Sequence, residues 1–234
     1  MFLPVMGLLP PDSAETTWIL KDYEDNLYVS ERYGYSIPVL DRFWFSRGGF
    51  SMQANLLDGP IPYIMRDQIQ HFLRAYFNSF ASAFEPGVRM MNEHSLPELG
   101  YPGGCMFKTS DEAQSAYWLR LMFVREQGDE LYLGQAIPRY WLAPGKTVGI
   151  DRATTHFGPM SLRLTPEQGQ IKAVLTPPTR NPPQAIYLRF RHPEGKLMQS
   201  VTLNRKPYDR FTAEKEWVIL PGKLDGAQEV IATY

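Results

Sequence analysis

The chain has 234 residues, of which 44% are apolar and 21% charged, the composition of an ordinary globular protein rather than a disordered or membrane-embedded chain. Its 24 basic and 25 acidic residues give a net charge of −1, which argues against a general binder of nucleic acid or of anionic membranes. A single cysteine, Cys105, excludes an internal disulfide framework.

Residues 1–134 are predicted to be helical. The first helical pattern spans residues 11–29 and opens with Asp12 and Ser13 as candidate N-caps. The second spans residues 60–84, where apolar side chains recur with the i, i+3, i+4 spacing of one helix face. The Glu-Pro-Gly sequence that follows is expected to end this helix.

The third helical pattern spans residues 108–126, with Thr109 or Ser110 as its N-cap and acidic residues in its first turn. Its middle is apolar nearly all round, which predicts burial on most sides, and Gly128 is expected to end it. Three such helices cannot cover one another's apolar faces. We therefore expect these faces to be covered by the β half, by self-association, or by helices of a longer polypeptide or a partner chain.

After about residue 135 the period of the pattern changes to two, which is typical of β-strands. Seven short runs rich in β-branched and aromatic residues are separated by turn residues: 147–153, 160–165, 169–176, 185–192, 198–204, 216–221 and 229–234. The alternation is clearest where Ile186, Leu188 and Phe190 are interleaved with more polar neighbours. Seven such strands predict an antiparallel β-sandwich, and a helical half followed by a β half predicts a segregated α+β fold.

No run approaches the ~18 consecutive apolar residues that a membrane span requires, and the first residues lack the basic segment and cleavage site of a signal peptide. We therefore expect a soluble protein that binds neither membranes nor nucleic acid, and the sequence leaves its cellular location open. No phosphate-binding loop or dinucleotide fingerprint occurs, and nothing in the sequence calls for a cofactor.

Three stretches, residues 43–80, 89–100 and 108–126, carry a resemblance to a known enzyme architecture. Their order resembles the C-terminal end of a six-hairpin, or (α/α)6-toroid, glycosidase, a group that includes glucoamylases, trehalases and α-L-rhamnosidase-like enzymes. Residues 134–164 and 186–204 are similar to the β-sandwich that closes many such bacterial enzymes.

The resemblance implies that residues 1–134 are the last part of an α/α toroid and that residues 135–234 are its closing β-sandwich. It also implies a role in carbohydrate metabolism, with a carbohydrate as substrate. A complete toroid has many more helices than the three patterns of this chain. The resemblance therefore predicts that the missing helices belong to a longer polypeptide or to a partner chain.

Glu93 and His94 stand side by side in RMMNEHSLPELGYPGGC, residues 89–105, a loop too rich in Gly and Pro for regular structure. In several families of the group, one catalytic carboxylate lies in the loop before the last helix of the toroid, and here that position is Glu93. His94 or Arg89 would keep it ionised. The alternatives are that Glu93 only contacts the substrate, or that it is a solvated loop residue.

A second loop, DRFWFSRGGFSMQANLLD at residues 41–58, contains the residue types that bind sugars. Aromatic side chains stack on apolar sugar faces, whereas guanidinium and amide groups bond hydroxyls. The candidate substrate-binding residues are Trp44, Arg47, Phe50, Gln53 and Asn55, together with His94 of the other loop. The alternative is that Trp44 and Phe50 anchor a long loop in the core.

Four further carboxylates rank below Glu93. Asp41 and Asp58 lie at the edges of the sugar-binding loop. Asp111 and Glu112 are expected to serve the N-terminus of the third helix, because negative charge is favourable there. For Asp111 and Glu112, a role in the site is the less favoured alternative.

Metal binding and thiol chemistry are not supported by the remaining residues. Asp67 and His71 lie four residues apart on one helix face, but a third ligand is missing from the pattern. His156 and His192 belong to the β half and are expected to be structural. Cys105 has no histidine at a spacing that would predict a nucleophile.

Three hypotheses follow from the sequence. The favoured one is that the chain is the C-terminal portion of a glycoside hydrolase-like enzyme. It would contribute one catalytic carboxylate and be inactive alone, because the second carboxylate belongs to the first half of the toroid. The others are a non-catalytic carbohydrate-binding or scaffold protein, and an accessory subunit that completes a toroid with another chain.

Overall fold

The computed structural model of the chain describes residues 2–25, 59–85, 87, 89–91 and 109–234. The chain forms two compact units that divide between Leu119 and Arg120. The sequence pattern placed the domain boundary later, between residues 134 and 135.

The described part of the first unit is mainly helical. Its helices are α1 (Phe2–Val5), α2 (Ala14–Asp25), α3 (Ile61–Met65), α4 (Ile69–Ala83) and α5 (Thr109–Phe123), the last of which crosses the unit boundary, and its strands are β1 (Phe84–Glu85) and β2 (Met90–Met91). No helix among the described residues is long and apolar enough to cross a membrane.

Helix α2 begins as its sequence predicts. The Ser13 hydroxyl accepts a hydrogen bond from the Thr16 N–H at 3.2 Å, which satisfies one of the free donors of the first turn. Thr16 is fully buried, and its own hydroxyl donates to the Pro10 carbonyl at 2.9 Å. Ser13 is therefore the N-cap of this helix.

The prediction of one continuous helix over residues 60–84 is wrong, because α3 and α4 are separate. Asp67, the second residue after the end of α3, has a left-handed φ of +56°. The Gln68 N–H donates to the Tyr63 carbonyl at 2.8 Å, and the Asp67 N–H donates to the Ile64 carbonyl at 3.1 Å. This pair of bonds is a Schellman motif, which ends a helix even where the apolar pattern continues.

The second unit contains two sheets. Its strands are β3 (Val124–Gln127), β4 (Glu130–Leu133), β5 (Val148–Ala153), β6 (Met160–Glu167), β7 (Gln170–Thr176), β8 (Ala185–Arg189), β9 (Ser200–Leu203), β10 (Lys206–Tyr208), β11 (Phe211–Thr212), β12 (Trp217–Pro221) and β13 (Gln228–Thr233). The six-stranded sheet has the order β10-β9-β13-β7-β6-β5, and the five-stranded sheet has the order β11-β12-β8-β4-β3. A short 3₁₀ helix, Arg139–Leu142, follows β4.

The inward-facing side chains of both sheets form one apolar core. Ile186, Leu188 and Phe190 are fully buried in this core, as their alternation predicts. Residues of β6 alternate between buried and exposed along the strand, so one face of the sheet is covered and the other faces solvent. The described chain is thus an α+β protein with a β-sandwich.

All seven predicted runs form strands, but the first hairpin of the sandwich was missed. The predicted third helix ends at Phe123 rather than at Gly128, and Val124–Gln127 pairs with Glu130–Leu133 across a two-residue turn. Gly128 has a left-handed φ of +55° in this turn. The sandwich is also not purely antiparallel, because β4 pairs with β8 in parallel.

Candidate functional site

The described part of the first unit contains a cavity of about 270 Å³. Helices α4 and α5 and the β1–β2 hairpin supply its lining, which consists of Tyr76, Phe80, Phe84, Arg89, Met90, Met91, Glu112, Ser115, Ala116 and Leu119. Most of these side chains are apolar, and two carry charge. A few polar groups in an apolar concavity are typical of small-molecule sites.

The hairpin brings its two ends to the cavity. Phe84 pairs with Met91, and Glu85 pairs with Met90. Arg89 lies in the turn before β2, with a left-handed φ of +58°, and its side chain is exposed. The chain leaves β2 at Met91, two residues before the predicted catalytic carboxylate in the sequence.

Glu112 connects α5 to this hairpin. Its Oε1 accepts a hydrogen bond from the Met91 N–H at 2.9 Å. Its Oε2 is buried and has no hydrogen-bond partner among the described residues. One oxygen of the carboxylate thus holds the strand, whereas the other is enclosed without a hydrogen bond from the described residues.

Asp111 and Glu112 both lie in the first turn of α5, where the sequence placed them. Asp111 is fully buried, and its Oδ2 accepts a hydrogen bond from the Ser110 hydroxyl at 3.2 Å. Glu112 does more than the helix-terminus role expected of it. Its contact with Met91 joins residues 21 positions apart, and the sequence contains no local signal for such a pair.

Aromatic side chains form the apolar wall of the cavity. The rings of Phe80 and Phe84 are stacked with centroids 5.2 Å apart, and Tyr76 lies 6.2 Å from Phe80. Burial raises the pKa of Tyr76 above its ordinary value, so this phenol stays neutral at physiological pH. The aromatic wall of the cavity is therefore uncharged.

The site residues that the sequence predicts lie outside the described residues. These are Glu93 and His94 of the first loop and Trp44, Arg47, Phe50, Gln53 and Asn55 of the second, and Asp41, Asp58 and Cys105 lie outside as well. Of the residues near Glu93 in sequence, Arg89 is described, and it lines the cavity.

The described histidines contact aromatic rings and backbone groups. His71 stacks on Tyr63 with ring centroids 5.4 Å apart. His192 lies against Tyr234, and its Nδ1 accepts the Glu194 N–H at 3.1 Å. No group of three metal-ligating side chains occurs among the described residues.

A second cavity, of about 380 Å³, lies on the six-stranded sheet of the second unit. Its lining includes Asp151, Ser161 and Arg163, and the Ser161 hydroxyl donates to Asp151 at 2.7 Å. None of its lining residues, all within the described part of the chain, is aromatic. The cavity in the first unit is therefore the better candidate for a site that stacks on a ligand.

No protein-family model and no curated protein matches the chain. Several solved structures do, among them two α-L-rhamnosidases and a GH127 β-arabinofuranosidase. An α-L-rhamnosidase from Dictyoglumus thermophilum matches 99% of this chain with a TM-score of 0.50 at 10% sequence identity.

Two further solved structures are similar over less of the chain. A GH127 β-arabinofuranosidase matches 75% of this chain and 31% of its own, with a TM-score of 0.38 at 11% identity. The α-L-rhamnosidase of Streptomyces avermitilis matches 80% and 18%, with a TM-score of 0.38 at 14% identity. At such identities the likeness is one of fold. The chain spans 25% of the length of the Dictyoglumus thermophilum enzyme.

Proposed function

We propose that the chain is the C-terminal portion of a carbohydrate-active enzyme of the glycoside hydrolase type, in which its helices complete an α/α toroid. The single observation that supports this most is the match of 99% of the chain to one quarter of an α-L-rhamnosidase. A fold likeness of this extent favours a glycosidase. Because one fold can have many functions, the catalytic activity has to be argued from particular residues.

Glu93 is the proposed catalytic carboxylate. Glycoside hydrolysis needs two carboxyl groups, one that protonates the leaving oxygen and one that activates water or attacks the sugar carbon. In an inverting enzyme they stand ~6.5–9.5 Å apart, which leaves room for the water. Glu93 follows β2 by two residues in the sequence, and the bond between Glu112 and the Met91 N–H anchors that strand.

The substrate contacts are proposed for the loop of residues 41–58 and for His94. Trp44 and Phe50 would stack on apolar sugar faces. The sugar hydroxyls would form hydrogen bonds with Arg47, Gln53 and Asn55. The second carboxylate would come from the preceding half of the toroid. The isolated chain is therefore expected to have no hydrolytic activity.

An accessory subunit that completes a toroid with a separate chain is the second candidate. The observation that favours it is the exposure of large apolar side chains near the start of the chain, where Met6 is 71% exposed and Trp18 is 65% exposed. Apolar groups exposed to this extent are common at protein interfaces. Hydrolysis that appears only when a second chain is added would identify this case.

The deciding experiment is a Glu93→Gln substitution in the assembled enzyme, with turnover of an aryl glycoside as the readout. The substitution keeps the shape of the side chain and removes its charge and basicity. We expect kcat to fall by roughly 10³-fold, about 4 kcal/mol of barrier, with the melting temperature unchanged.

Glu98→Gln in the same loop is the matched control and should retain turnover. Equal turnover of the wild-type enzyme and the Glu93→Gln variant would remove Glu93 from the catalytic site. Cleavage of a glycoside by the purified 234-residue chain would show that a second carboxylate from elsewhere is not needed.

A further inference from the structure

The cavity of about 380 Å³ on the six-stranded sheet has a polar lining for which the proposed function has no use. We propose that this cavity binds a neutral saccharide through its hydroxyls, which donate hydrogen bonds to Asp151 and accept them from Arg163. This proposal rests on the proposed function, because it supposes that the enzyme acts on carbohydrate.

The lining side chains lie on the solvent face of three neighbouring strands, β5, β6 and β7. Leu162 of β6 is buried in the core, so its neighbours Ser161 and Arg163 face outward. Val174 and Thr176 of β7 are exposed on the same face, and β5 is the edge strand of the sheet. A ligand can therefore reach these side chains from solvent.

A bulge in β5 holds Asp151 in place. The register of β5 with β6 shifts between Ile150 and Ala153, and Arg152 has a left-handed φ of +50°. The Ser161 hydroxyl accepts the Arg152 N–H at 2.9 Å and donates to Asp151 Oδ1 at 2.7 Å. Bulges often orient a side chain at a functional site. One oxygen of the carboxylate is thus fixed before a ligand binds.

Two charged groups of the lining are left for a ligand. Asp151 Oδ2 and the Arg163 guanidinium have no hydrogen bond or ion pair with a described residue, and both side chains are exposed. A carboxylate oxygen accepts from a hydroxyl, and a guanidinium donates to one. The exposed hydroxyls of Thr147 and Thr176 can do either. Donors and acceptors side by side are what a polyhydroxyl ligand requires.

Gly149 shapes the middle of the cavity. Its backbone lies so close to β6 that a Cβ would stand 2.6 Å from the Leu162 carbonyl oxygen. Between Thr147 and Asp151 the cavity is therefore bounded by backbone alone. A glycine inside a strand often marks a place where a ligand approaches closely. Small-molecule pockets occupy about 300–1,000 Å³, so a cavity of about 380 Å³ is large enough for a monosaccharide.

The charges of the lining narrow the class of ligand. Asp151 and Arg163 are the charged residues of the lining, all of which the structure describes, and their charges balance. A neutral ligand is therefore favoured over a simple cation or anion. A zwitterionic amino acid would also match the two charges. The saccharide is favoured over it, because the threonine hydroxyls can bond further hydroxyls and Val174, 39% exposed, can contact the C–H groups of a sugar.

The test titrates the purified chain with the methyl glycosides of glucose, arabinose and rhamnose, and follows the backbone amide signals of Gly149 and Ser161 by NMR. We expect at least one glycoside to shift both signals saturably, and free glycine to leave them unchanged. Asp151→Asn should weaken the affinity at least tenfold. It can keep the acceptor for the Ser161 hydroxyl, but it replaces Oδ2 by an NH₂ group that donates instead of accepting. Arg163→Gln should weaken the affinity as well.

Asp209→Asn and Arg205→Gln are the matched controls, since they make the same changes at exposed residues of the second unit that do not line the cavity. Both should bind the glycoside like the wild-type chain, and all four variants should keep its melting temperature. Wild-type affinity in either Asp151→Asn or Arg163→Gln overturns the proposed site. So does the absence of a saturable shift of the two amides with all three glycosides, or an equal shift with free glycine.

These outcomes are separate from those of the proposed function. Loss of turnover in Glu93→Gln together with absent glycoside binding at Gly149 would refute the site on the sheet alone. Retained turnover in Glu93→Gln together with saturable binding at Gly149 would refute the catalytic role of Glu93 and keep the site on the sheet.

Discussion

At the scale of single residues, Gly149 of β5 has a purely steric requirement. A Cβ at this position would lie 2.6 Å from the Leu162 carbonyl oxygen of the neighbouring strand. Gly145 differs, because its φ is +79° and a Cβ there would meet no atom within 4 Å. Gly149→Ala is therefore expected to lower the free energy of unfolding by about 1–3 kcal/mol through overpacking.

The alanine and asparagine variants should differ in stability in opposite directions at the two glycine positions. Gly145→Asn should destabilise less than Gly145→Ala, because asparagine tolerates the left-handed region better. Gly149→Asn should destabilise more than Gly149→Ala, because it adds volume where there is no space. Urea denaturation of the four variants measures this order, and the same order at both positions would refute the steric account.

His192 is expected to make the stability of the second unit depend on pH. Burial lowers its pKa, and the nearby charge of Lys196 lowers it further. Because the unfolded state takes up the proton first, at about pH 6.5, stability should be full above that pH and fall as the pH drops towards the lower pKa of the folded state. The Glu194 N–H that donates to Nδ1 also favours the neutral ring.

The comparison for this prediction is His192→Asn, whose side-chain oxygen can accept the same Glu194 N–H. Urea midpoints measured from about pH 8 to about pH 5.5 should fall less steeply for the variant than for the wild-type chain. Carboxylates that titrate in this range are common to both proteins and cancel in the difference. Parallel curves would show that His192 has no part in the pH dependence.

At the scale of elements, one carboxylate joins three parts of the sandwich. Glu216, just before β12, is 5% exposed and has a left-handed φ of +61°. Its Oε1 lies 2.6 Å from Arg139 Nη1 of the 3₁₀ helix, and its Oε2 lies 3.5 Å from Arg189 Nε of β8. Both guanidinium groups form an ion pair with this carboxylate.

Glu216→Gln should therefore destabilise the second unit by about 3 kcal/mol, the lower end of the range for breaking a buried pair, because Arg139 is partly exposed. Glu194→Gln is the control, since Glu194 pairs with Lys196 at 2.8 Å on the surface and should matter little. Thermal unfolding of both variants tests this. Equal melting temperatures would mean that the buried network contributes nothing net.

The elements that the sequence predicted well are those with a strong local signal. The seven strand runs have period two and clear turn residues between them, and the Ser13 cap has a hydroxyl at the right position. The β3–β4 hairpin was missed because its first strand continues the apolar run of α5 without a break. The Gly128-Asp129 pair was the available signal, since Gly-Asp between two short runs predicts a tight hairpin.

The candidate site could be predicted less well, for a physical reason. Its parts come from segments far apart in sequence, and Glu112 meets Met91 only through the packing of α5 against the hairpin. Local sequence patterns correctly place Glu112 in the first turn of α5. They do not predict that its side chain bonds the Met91 N–H. The catalytic role of Glu93 and the sugar contacts of Trp44 stay predictions, since both residues lie outside the described part of the chain.

At the scale of the whole molecule, large apolar side chains near residue 1 are exposed in the described part of the chain. They are Phe2, Leu3, Met6, Leu8 and Trp18, between 45% and 71% exposed. Their removal from water on association is favourable in proportion to the apolar area buried. We expect the isolated chain to self-associate through them, and a longer polypeptide or a partner chain to cover them in the assembled enzyme.

Sedimentation velocity over a range of concentrations tests this expectation. The wild-type chain should show a weight-average mass that rises with concentration, and the triple variant Met6→Lys, Leu8→Lys, Trp18→Lys should stay monomeric, because each lysine must keep its charge in water. Tyr140→Lys with Leu197→Lys is the control, since these exposed side chains belong to the second unit. That double variant should associate like the wild-type chain. A wild-type chain that is monomeric at every concentration would mean that these side chains do not drive self-association. Their exposure would then point to a chemically different partner.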